Sequence, residues 1–368
     1  MRSRGPLVTH RLMSSLFTPL GLRSLTLRNR IGVSPMCQYS SDQGYANEWH
    51  LVHLGGFATG GAGLVFTEAA AVTAEGRISP WDLGIWDDAH IPMLRRITDF
   101  VRAQGAVVGI QLAHAGRKAS TRRPWEGAGT ILPADGGWEN VLAPSAIAFA
   151  DNYPLPHALT LDGIAHIVAA FRTSAQRALM AGFQVAEIHA AHGYLLHEFL
   201  SPLSNQRTDD YGGSFVNRAR MTLEVAAAVR AMWPTDLPVF VRISATDWVD
   251  GGWDIDDSVR LAAQLKVLGV DVIDCSSGGL SAQQHIAIGP AYQVPFSARI
   301  KREADIATAA VGLITTPEQA ERIVADGDAD MVLLARELLR NPRWPLMAAH
   351  ALGATAPWPS QYERARPR

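Results

Sequence analysis

The chain has 368 residues, and its 33 lysines and arginines nearly balance its 35 aspartates and glutamates, which gives a formal net charge of −2. This balance argues against a nucleic-acid-binding protein, which usually carries a basic excess or stripe. Hydrophobic residues make up 48% of the chain and charged residues 18%, a composition that suits a large core and excludes a disordered chain. No apolar run reaches the ~18 residues that a membrane span needs, so we expect no membrane partner.

The N-terminal segment, MRSRGPLVTHRLM, is basic and lacks acidic residues. A transit peptide is one interpretation, although the segment has no clear amphipathic stripe. We favour a disordered or non-native extension over residues 1–15, with Met13 as the natural first residue.

The chain has two cysteines, Cys37 and Cys275, which cannot form a disulfide framework, so we expect a cytoplasmic protein.

From Leu16 onward, short apolar runs alternate with longer amphipathic stretches. The short runs are rich in Val and Ile and predict parallel strands covered on both faces, at 31–34, 63–68, 106–112, 185–189, 239–243, 270–276, 306–311 and 330–335. The amphipathic stretches predict helices at 48–59, 91–104, 161–181, 217–232, 256–268, 293–302, 317–326 and 337–351. Thr160 and Thr316 are positioned as N-caps, and Gly182 and Gly269 as helix ends.

Eight strand–helix units in strict order predict an α/β fold, a single (β/α)₈ TIM barrel over residues 16–368. A doubly wound open sheet is the alternative, but it usually has a glycine-rich turn after its first strand, where this chain has SPMCQY. Residues 117–158 follow the third strand and lack clear periodicity. Because they are rich in Gly, Pro and Trp, we expect an ordered loop that caps the C-terminal face of the barrel.

Active sites of such barrels lie at the C-terminal ends of the strands. Polar strings follow the first strand (VSPMCQY), the third (QLAHAGRK), the seventh (VGLIT) and the eighth (LLAREL), and Arg242 ends the fifth. The fourth strand ends in EIHAAHGYLLHEFLSPLSNQRTDDYGGS. These strings resemble the Old Yellow Enzyme family, with the closest likeness to its thermophilic-like subclass of FMN-dependent ene-reductases. The resemblance extends from LFTPL at Leu16 to QYERA near the C-terminus.

The resemblance implies noncovalent FMN at the barrel mouth. Gly312 matches the family glycine that presents a backbone N–H to the FMN phosphate after the seventh strand. The Gly-Arg pair that follows the eighth strand is Ala335–Arg336 here, so alanine replaces the glycine. A backbone N–H survives that replacement, and the guanidinium of Arg336 suits a phosphate.

The resemblance also assigns residues to the isoalloxazine ring. Gln111 matches the amide at the pyrimidine edge, and Arg242 matches the arginine near N1, where a positive charge stabilises the reduced flavin. Further ring contacts are implied for Ser34, Pro35, Met36 and Ala69. Cys37 matches a position near N5 that modulates the redox potential, whereas a buried cysteine is ordinarily a small hydrophobe, as we expect of Cys275.

His189 and His192 are implied as the donors that hold a substrate carbonyl oxygen and stabilise the charge that develops on it. A lone histidine would more often be a core residue. A metal site is a second alternative that would need a third protein ligand, such as His114 or Glu187, and we expect no metal.

Tyr194 matches the family acid that protonates the α-carbon. A phenol can serve in this role since it is protonated at neutral pH. Tyr39 matches a tyrosine that bonds the substrate oxygen.

The implied enzyme is an NADPH dehydrogenase of the ene-reductase type. NADPH would reduce FMN, and hydride from flavin N5 would then reduce an activated C=C bond of an α,β-unsaturated carbonyl or nitro compound, with the proton from Tyr194. In the subclass, an arginine at the position of Arg364 reaches the active site of a neighbouring protomer, which implies a homodimer or homotetramer. A metal-dependent lyase or hydrolase and a nonenzymatic flavin-binding scaffold are the alternatives from other functional classes.

Overall fold

The structure is a computed structural model that describes residues 14–367. Of the extension expected over residues 1–15 it therefore describes only Ser14 and Ser15, and the Ser15 N–H donates to Glu321 Oε1 over 2.7 Å. Its strands are β1 (Leu20–Leu22), β2 (Leu25–Leu27), β3 (Ile31–Val33), β4 (Leu64–Ala71), β5 (Val107–Ala113), β6 (Leu142–Ala143), β7 (His157–Ala158), β8 (Val185–Ala190), β9 (Val239–Ser244), β10 (Val272–Ser276), β11 (Ala307–Ala310) and β12 (Met331–Leu334). Its α-helices are α1 (Glu48–Thr59), α2 (Ile91–Ala103), α3 (Leu161–Met180), α4 (Leu195–Leu200), α5 (Phe215–Met232), α6 (Ile255–Val267), α7 (Val294–Ala304), α8 (Pro317–Ala325), α9 (Arg336–Arg340) and α10 (Trp344–Ala351).

Eight parallel strands close a barrel in the order β3-β4-β5-β8-β9-β10-β11-β12, and β12 pairs with β3. Each predicted barrel strand is present, which confirms the (β/α)₈ fold and rejects the open sheet. The predicted caps are also present, because the side chains of Thr160 and Thr316 accept hydrogen bonds from the backbone N–H groups of Gly163 and Gln319. None of the helices within residues 14–367 is both long enough and apolar enough to cross a membrane.

The prediction of one helix over 337–351 is wrong, because α9 and α10 are separate helices. Pro342 lies between them and disfavours helical geometry at the residue before it. Asn341 accordingly has φ −138° and ψ 87°. The short helix α4 and the β1–β2 hairpin were absent from the predicted elements, since each is too short to show a periodicity in the sequence.

The barrel interior has an apolar lower half. Side chains alternate along a strand, so Val185, Glu187 and His189 of β8 share one face. Val185 belongs to a buried cluster that includes Phe66 and Phe240, and the β1–β2 hairpin adds Leu22 and Leu27 to it. The hairpin therefore plugs the N-terminal end of the barrel, and polar side chains are confined to the upper half.

The loop after the third barrel strand packs against neighbouring loops, as expected of a cap. The ring of Trp125 lies edge-on to Tyr39 with centroids 5.8 Å apart, and the Trp138 indole donates to the Glu75 carbonyl. The Ser145 hydroxyl accepts from the Gln206 backbone. The loop thus contacts the segments that follow the first, second and fourth barrel strands.

The hairpin plug supports a test of stability. Leu27→Ala removes a fully buried side chain from the closed end of the barrel and should lower the free energy of unfolding by about 2–5 kcal/mol in urea titrations. Thr26→Ala, at the exposed neighbouring position, is the control and should stay within about 0.5 kcal/mol of the parent. Equal effects of the two substitutions would contradict the role of Leu27 in the plug.

Candidate active site

The strand register brings the polar strand ends together above the apolar half of the barrel. His189 is paired with Arg242, and Arg242 with Asp274, across β8, β9 and β10. Gln111 is paired with Glu187 across β5 and β8. Residues that lie more than a hundred positions apart in the chain therefore point into one barrel mouth.

Arg242 connects two sides of this mouth. Its Nη1 donates to the Ser34 hydroxyl over 3.1 Å. Its Nε lies 3.1 Å from Asp274 Oδ2, although neither of these two atoms has hydrogen-bond geometry to a partner. On the other side, Gln111 Nε2 donates to Glu187 Oε1 over 2.8 Å. The sequence motifs identified Ser34, Gln111 and Arg242. They raised Glu187 only as a possible metal ligand and did not identify Asp274.

His189 and His192 lie side by side with their ring centroids 5.2 Å apart. Burial lowers the pKa of each imidazole well below its usual value, and the positive charge of Arg242 lowers it further. Both rings are therefore neutral at pH 7. His189 Nδ1 is buried and has no protein partner within the described residues, whereas His192 Nε2 lies 2.7 Å from the Ser276 hydroxyl.

The loop that carries His192 has a left-handed backbone, with φ 61° at His192 and 69° at Gly193. Such a backbone persists only where its surroundings hold it. The Ser244 hydroxyl accepts from the His192 N–H, and His197 Nδ1 accepts from the Gly193 N–H. The ammonium group of Lys118 donates to the His192 carbonyl over 2.8 Å.

His197 is fully buried and Lys118 is half-buried, and polar contacts hold both side chains. Burial lowers the pKa of Lys118 to about 7, and His197 Nε2 lies 2.8 Å from Asp247 Oδ1. Both residues occur inside strings quoted for the family resemblance, but their part in holding the loop follows from contacts that a sequence does not show.

Tyr194 and Tyr39 reach the same space from two loops. The Tyr194 ring is 5.0 Å from the His189 ring. Burial raises the pKa of both phenols, so both are protonated at neutral pH. Tyr39 has φ 50°, a strained value for a tyrosine.

Cys37 lies beside the backbone of Ala69. Burial raises the pKa of the thiol well above its usual value, and the carboxylates of Asp82 and Glu68 add to the rise against an opposing hydrogen bond from the Ala69 backbone. The sulfur is therefore a thiol and not a nucleophilic thiolate. Cys275 is fully buried in β10 among core residues.

A cavity of about 260 Å³ lies at the ends of β11 and β12. Its lining includes Gly312, Ala335 and Arg336, together with Gln293 and Arg340, which the sequence motifs did not identify. Gly312 has φ 119°, and a Cβ atom there would come within 2.6 Å of Gln293 Nε2. Only glycine fits this position, so the cavity keeps its backbone open to a ligand.

Pro35 and Met36 are half-buried and connect Ser34 to Cys37 at the mouth. Arg364 is exposed and lies two residues after Tyr362, whose ring centroid is 4.6 Å from the Arg343 guanidinium carbon. Within residues 14–367, no group of three or more His, Cys, Asp or Glu side chains is arranged to hold a metal ion. Glu187 instead accepts from Gln111, and His114 Nδ1 accepts from the Gly116 N–H.

Comparison with known proteins identifies the family. Residues 15–354 match the model of the NADH:flavin oxidoreductase / NADH oxidase family. The chain belongs to this family. It is an FMN-dependent oxidoreductase, in agreement with the resemblance found in its sequence motifs.

Individual relatives cover nearly the whole chain. An NADPH dehydrogenase of Geobacillus sp. (strain WCH70) is 49% identical over 351 residues, which are 95% of this chain and 98% of the relative. The structure of morphinone reductase has a TM-score of 0.78 at 28% identity and covers 95% of this chain and 92% of its own. The Old Yellow Enzyme homologue of Zymomonas mobilis has a TM-score of 0.75 at 25% identity, with coverages of 96% and 99%.

The polar groups at the mouth suit FMN. The Gln111 amide can donate and accept at a pyrimidine edge, and the Arg242 guanidinium supplies a fixed positive charge. The cavity at Gly312 offers open backbone, and Arg336 and Arg340 offer positive charge for a phosphate. Among the described residues His189 Nδ1 is buried and has no protein partner, which is typical of a polar atom that bonds a ligand.

The cavity at Gly312 supports a test of phosphate binding. Gly312→Ala should weaken FMN binding about 10–100-fold, because the added methyl group disturbs donors to a charged group. Equilibrium dialysis against FMN measures the loss. Gly289→Ala, where a Cβ meets nothing within 4 Å, is the matched control and should bind FMN normally. Unchanged affinity in Gly312→Ala would contradict the phosphate assignment.

Proposed function

We propose that the protein is an NADPH-dependent ene-reductase, which reduces activated C=C bonds of α,β-unsaturated carbonyl or nitro compounds. The observation that carries the proposal is the pair of neutral imidazoles, His189 and His192, beside the protonated Tyr194 above Gln111 and Arg242. NADPH as the donor is proposed from the names of close relatives. FMN supplies hydride from N5 when it is bound. The protein side chains hold the substrate oxygen by hydrogen bonds and supply the proton.

The cofactor contacts are proposed in two sets. One set holds the ring with Ser34, Pro35, Met36, Cys37, Ala69, Gln111 and Arg242. The other holds the phosphate with Gly312, Ala335 and Arg336. Because burial keeps Cys37 protonated, its part is that of a weak S–H donor that modulates the flavin, and not that of a nucleophile.

His189 and His192 donate hydrogen bonds to the oxygen of the substrate. A neutral imidazole has one N–H, so the hydrogen must lie on the nitrogen that faces the substrate. For His192 this requires Nε2 to accept from the Ser276 hydroxyl, which lies 2.7 Å away, and Nδ1 to carry the hydrogen. In that tautomer the Ser276 hydroxyl donates its hydrogen to His192 Nε2. The two donors polarise the C=C bond and stabilise the enolate-like charge.

Tyr194 delivers a proton to the α-carbon, and Tyr39 bonds the substrate oxygen. Because the pKa of Tyr194 is raised, its phenol stays protonated through neutral and mildly alkaline pH. Left-handed geometry at His192 and Gly193 directs the chain so that Tyr194 returns beside His189. The loop that holds the substrate oxygen thus also carries the acid.

The Tyr194 assignment is tested in separate half-reactions by anaerobic stopped-flow. Tyr194→Phe should slow reoxidation of the reduced enzyme by an enone about 10²–10⁴-fold, because general acid help is lost. Reduction of the flavin by NADPH should be nearly unchanged. Tyr45→Phe, at an exposed tyrosine outside the site, is the control. Equal losses in the two half-reactions would contradict the assignment, and no reduction of enones by the parent protein would reject the function.

A homo-oligomer with a shared active site is proposed from the surface near α1 and α9. Trp49, Val52 and Leu339 are exposed by 56%, 73% and 47%, and they line one apolar groove. Isolated monomers rarely expose such clusters. The contact between Tyr362 and Arg343 holds the C-terminal tail close to the same region, because Pro342 belongs to the groove. We propose that a second copy binds at this surface and that Arg364 of one subunit enters the barrel mouth of the other. The two free cysteines suit a reducing compartment, and the cytoplasm is the proposed setting.

Complementation between subunits tests the shared site. Arg364→Ala should lower kcat/KM for enones about tenfold or more, as expected for a lost charged contact to substrate. Co-expression with Tyr194→Phe should restore activity in the mixed oligomer, because one subunit contributes Arg364 and the other Tyr194. Arg366→Ala is the control. No recovery in purified mixed oligomers, or a monomer by light scattering, would contradict the proposal.

A further inference from the structure

A layer of buried charge lies directly beneath the proposed ring site. Glu187 and Asp274 are fully buried, and Gln111 and Arg242 are 1% and 5% exposed. All four side chains come from barrel strands, and apolar side chains fill the barrel below them. The oxygen atoms Glu187 Oε2 and Asp274 Oδ1 are buried and have no hydrogen-bond partner within the described residues.

The charges in this layer do not balance if both acids are ionised. The layer holds one guanidinium and two carboxyl groups, so full ionisation would leave one uncompensated negative charge in a buried site. An isolated buried charge is costly, and a proton on one acid removes it. The net charge of the layer is therefore zero when one of the two acids is protonated and the other is ionised.

The contacts decide which acid holds that proton. Asp274 Oδ2 lies 3.1 Å from Arg242 Nε, so its negative charge is compensated. The hydrogen-bond partner of Glu187 is the uncharged Gln111 amide, at 2.8 Å. The pKa shifts agree with this division: burial raises the pKa of Asp274 to about 6 and that of Glu187 well above its usual value, with Asp274 adding to the Glu187 shift. The contacts therefore assign the negative charge to Asp274 and the proton to Glu187.

We propose that Asp274 is the counterion that limits the effect of Arg242 on the flavin, and that Glu187 holds the proton of this acid pair and orients the Gln111 amide. The inference rests on FMN binding at Arg242 and Gln111. Arg242 stabilises added negative charge on the ring, and a carboxylate 3.1 Å from the guanidinium offsets part of that field. With one Nε2 hydrogen committed to Glu187, Gln111 presents its carbonyl and its second N–H to the cofactor. Asp274 and Glu187 are positioning residues, because they act through Arg242 and Gln111.

The test is the midpoint potential of the purified FMN-loaded enzyme at pH 7.5, measured by spectroelectrochemical titration. Asp274→Asn should increase the affinity for reduced relative to oxidised FMN at least about tenfold, a positive shift of about 30 mV for a two-electron couple. Glu187→Gln should leave the potential unchanged, because a neutral amide replaces a neutral acid. Asp305→Asn removes an exposed charge that pairs with Lys266 and should also have no effect.

Each outcome decides a part of the proposal. No shift in Asp274→Asn overturns the counterion role, and an equal shift in Glu187→Gln overturns the protonation of Glu187. If Asp274→Asn does not fold, Asp274→Ser, which is neutral and smaller, replaces it in the same titration. Infrared difference spectra of the loaded enzyme give a second readout. Because burial also raises the pKa of Glu198 and of Asp82, other carboxyl bands remain, and the parent spectrum minus that of Glu187→Gln should contain one protonated-carboxyl band. The absence of this difference band would place the proton elsewhere.

The orienting role of Glu187 has its own readout. Glu187→Leu should weaken binding of oxidised FMN about tenfold, because the Gln111 amide loses the group that orients it. Glu187→Gln should retain the parental affinity, since its amide oxygen can accept the same hydrogen bond. Equal affinity in the Leu and Gln variants would overturn this role. Parent protein that binds no FMN would instead reject the cofactor site itself, so the two failures are distinguishable.

Discussion

The structure depends on one constraint, the alternation of side chains along strands that close into a barrel. In each of the eight strands every second side chain points toward the barrel axis. Side chains at the same height along this axis therefore form a layer. In the lower half the layers are apolar and are sealed by the β1–β2 hairpin. In the upper half Gln111, Glu187, Arg242 and Asp274 replace them. Polar groups are thereby concentrated where they have few water molecules and few alternative partners.

Burial and the positive charge of Arg242 together determine the protonation states of the side chains at the mouth. Burial near Arg242 keeps His189 and His192 neutral, while burial keeps Tyr194, Tyr39 and Cys37 protonated. Each of these groups is therefore a hydrogen-bond donor and not a charge. This set suits a reaction in which negative charge develops on a substrate oxygen, because donors stabilise that charge without adding a permanent ion.

The loop after β8 shows how the surrounding structure supports local strain. Two consecutive left-handed residues place His192 and Tyr194 on the same side of the mouth. Their backbone groups are held by Ser244, His197 and Lys118, and the last of these comes from the segment that opens the capping loop. Lys118 is one of only three lysines in the chain, and it is used here to hold the His192 carbonyl.

The sequence by itself determined the strand–helix order, the closed barrel and the motifs of the family, because these depend on local periodicity and on short strings. It also indicated the residues at the strand ends, since strand polarity alone places them on one face. It did not reveal the hairpin plug, which tertiary packing decides. The break in the last helix did have a sequence signal in Pro342, which the prediction of one helix overlooked. Only the tertiary structure paired Arg242 with Asp274, Glu187 with Gln111 and Lys118 with the His192 carbonyl. The reason is physical: protonation and orientation of a buried group depend on neighbours a few ångströms away, and strand register brings those neighbours from distant parts of the chain.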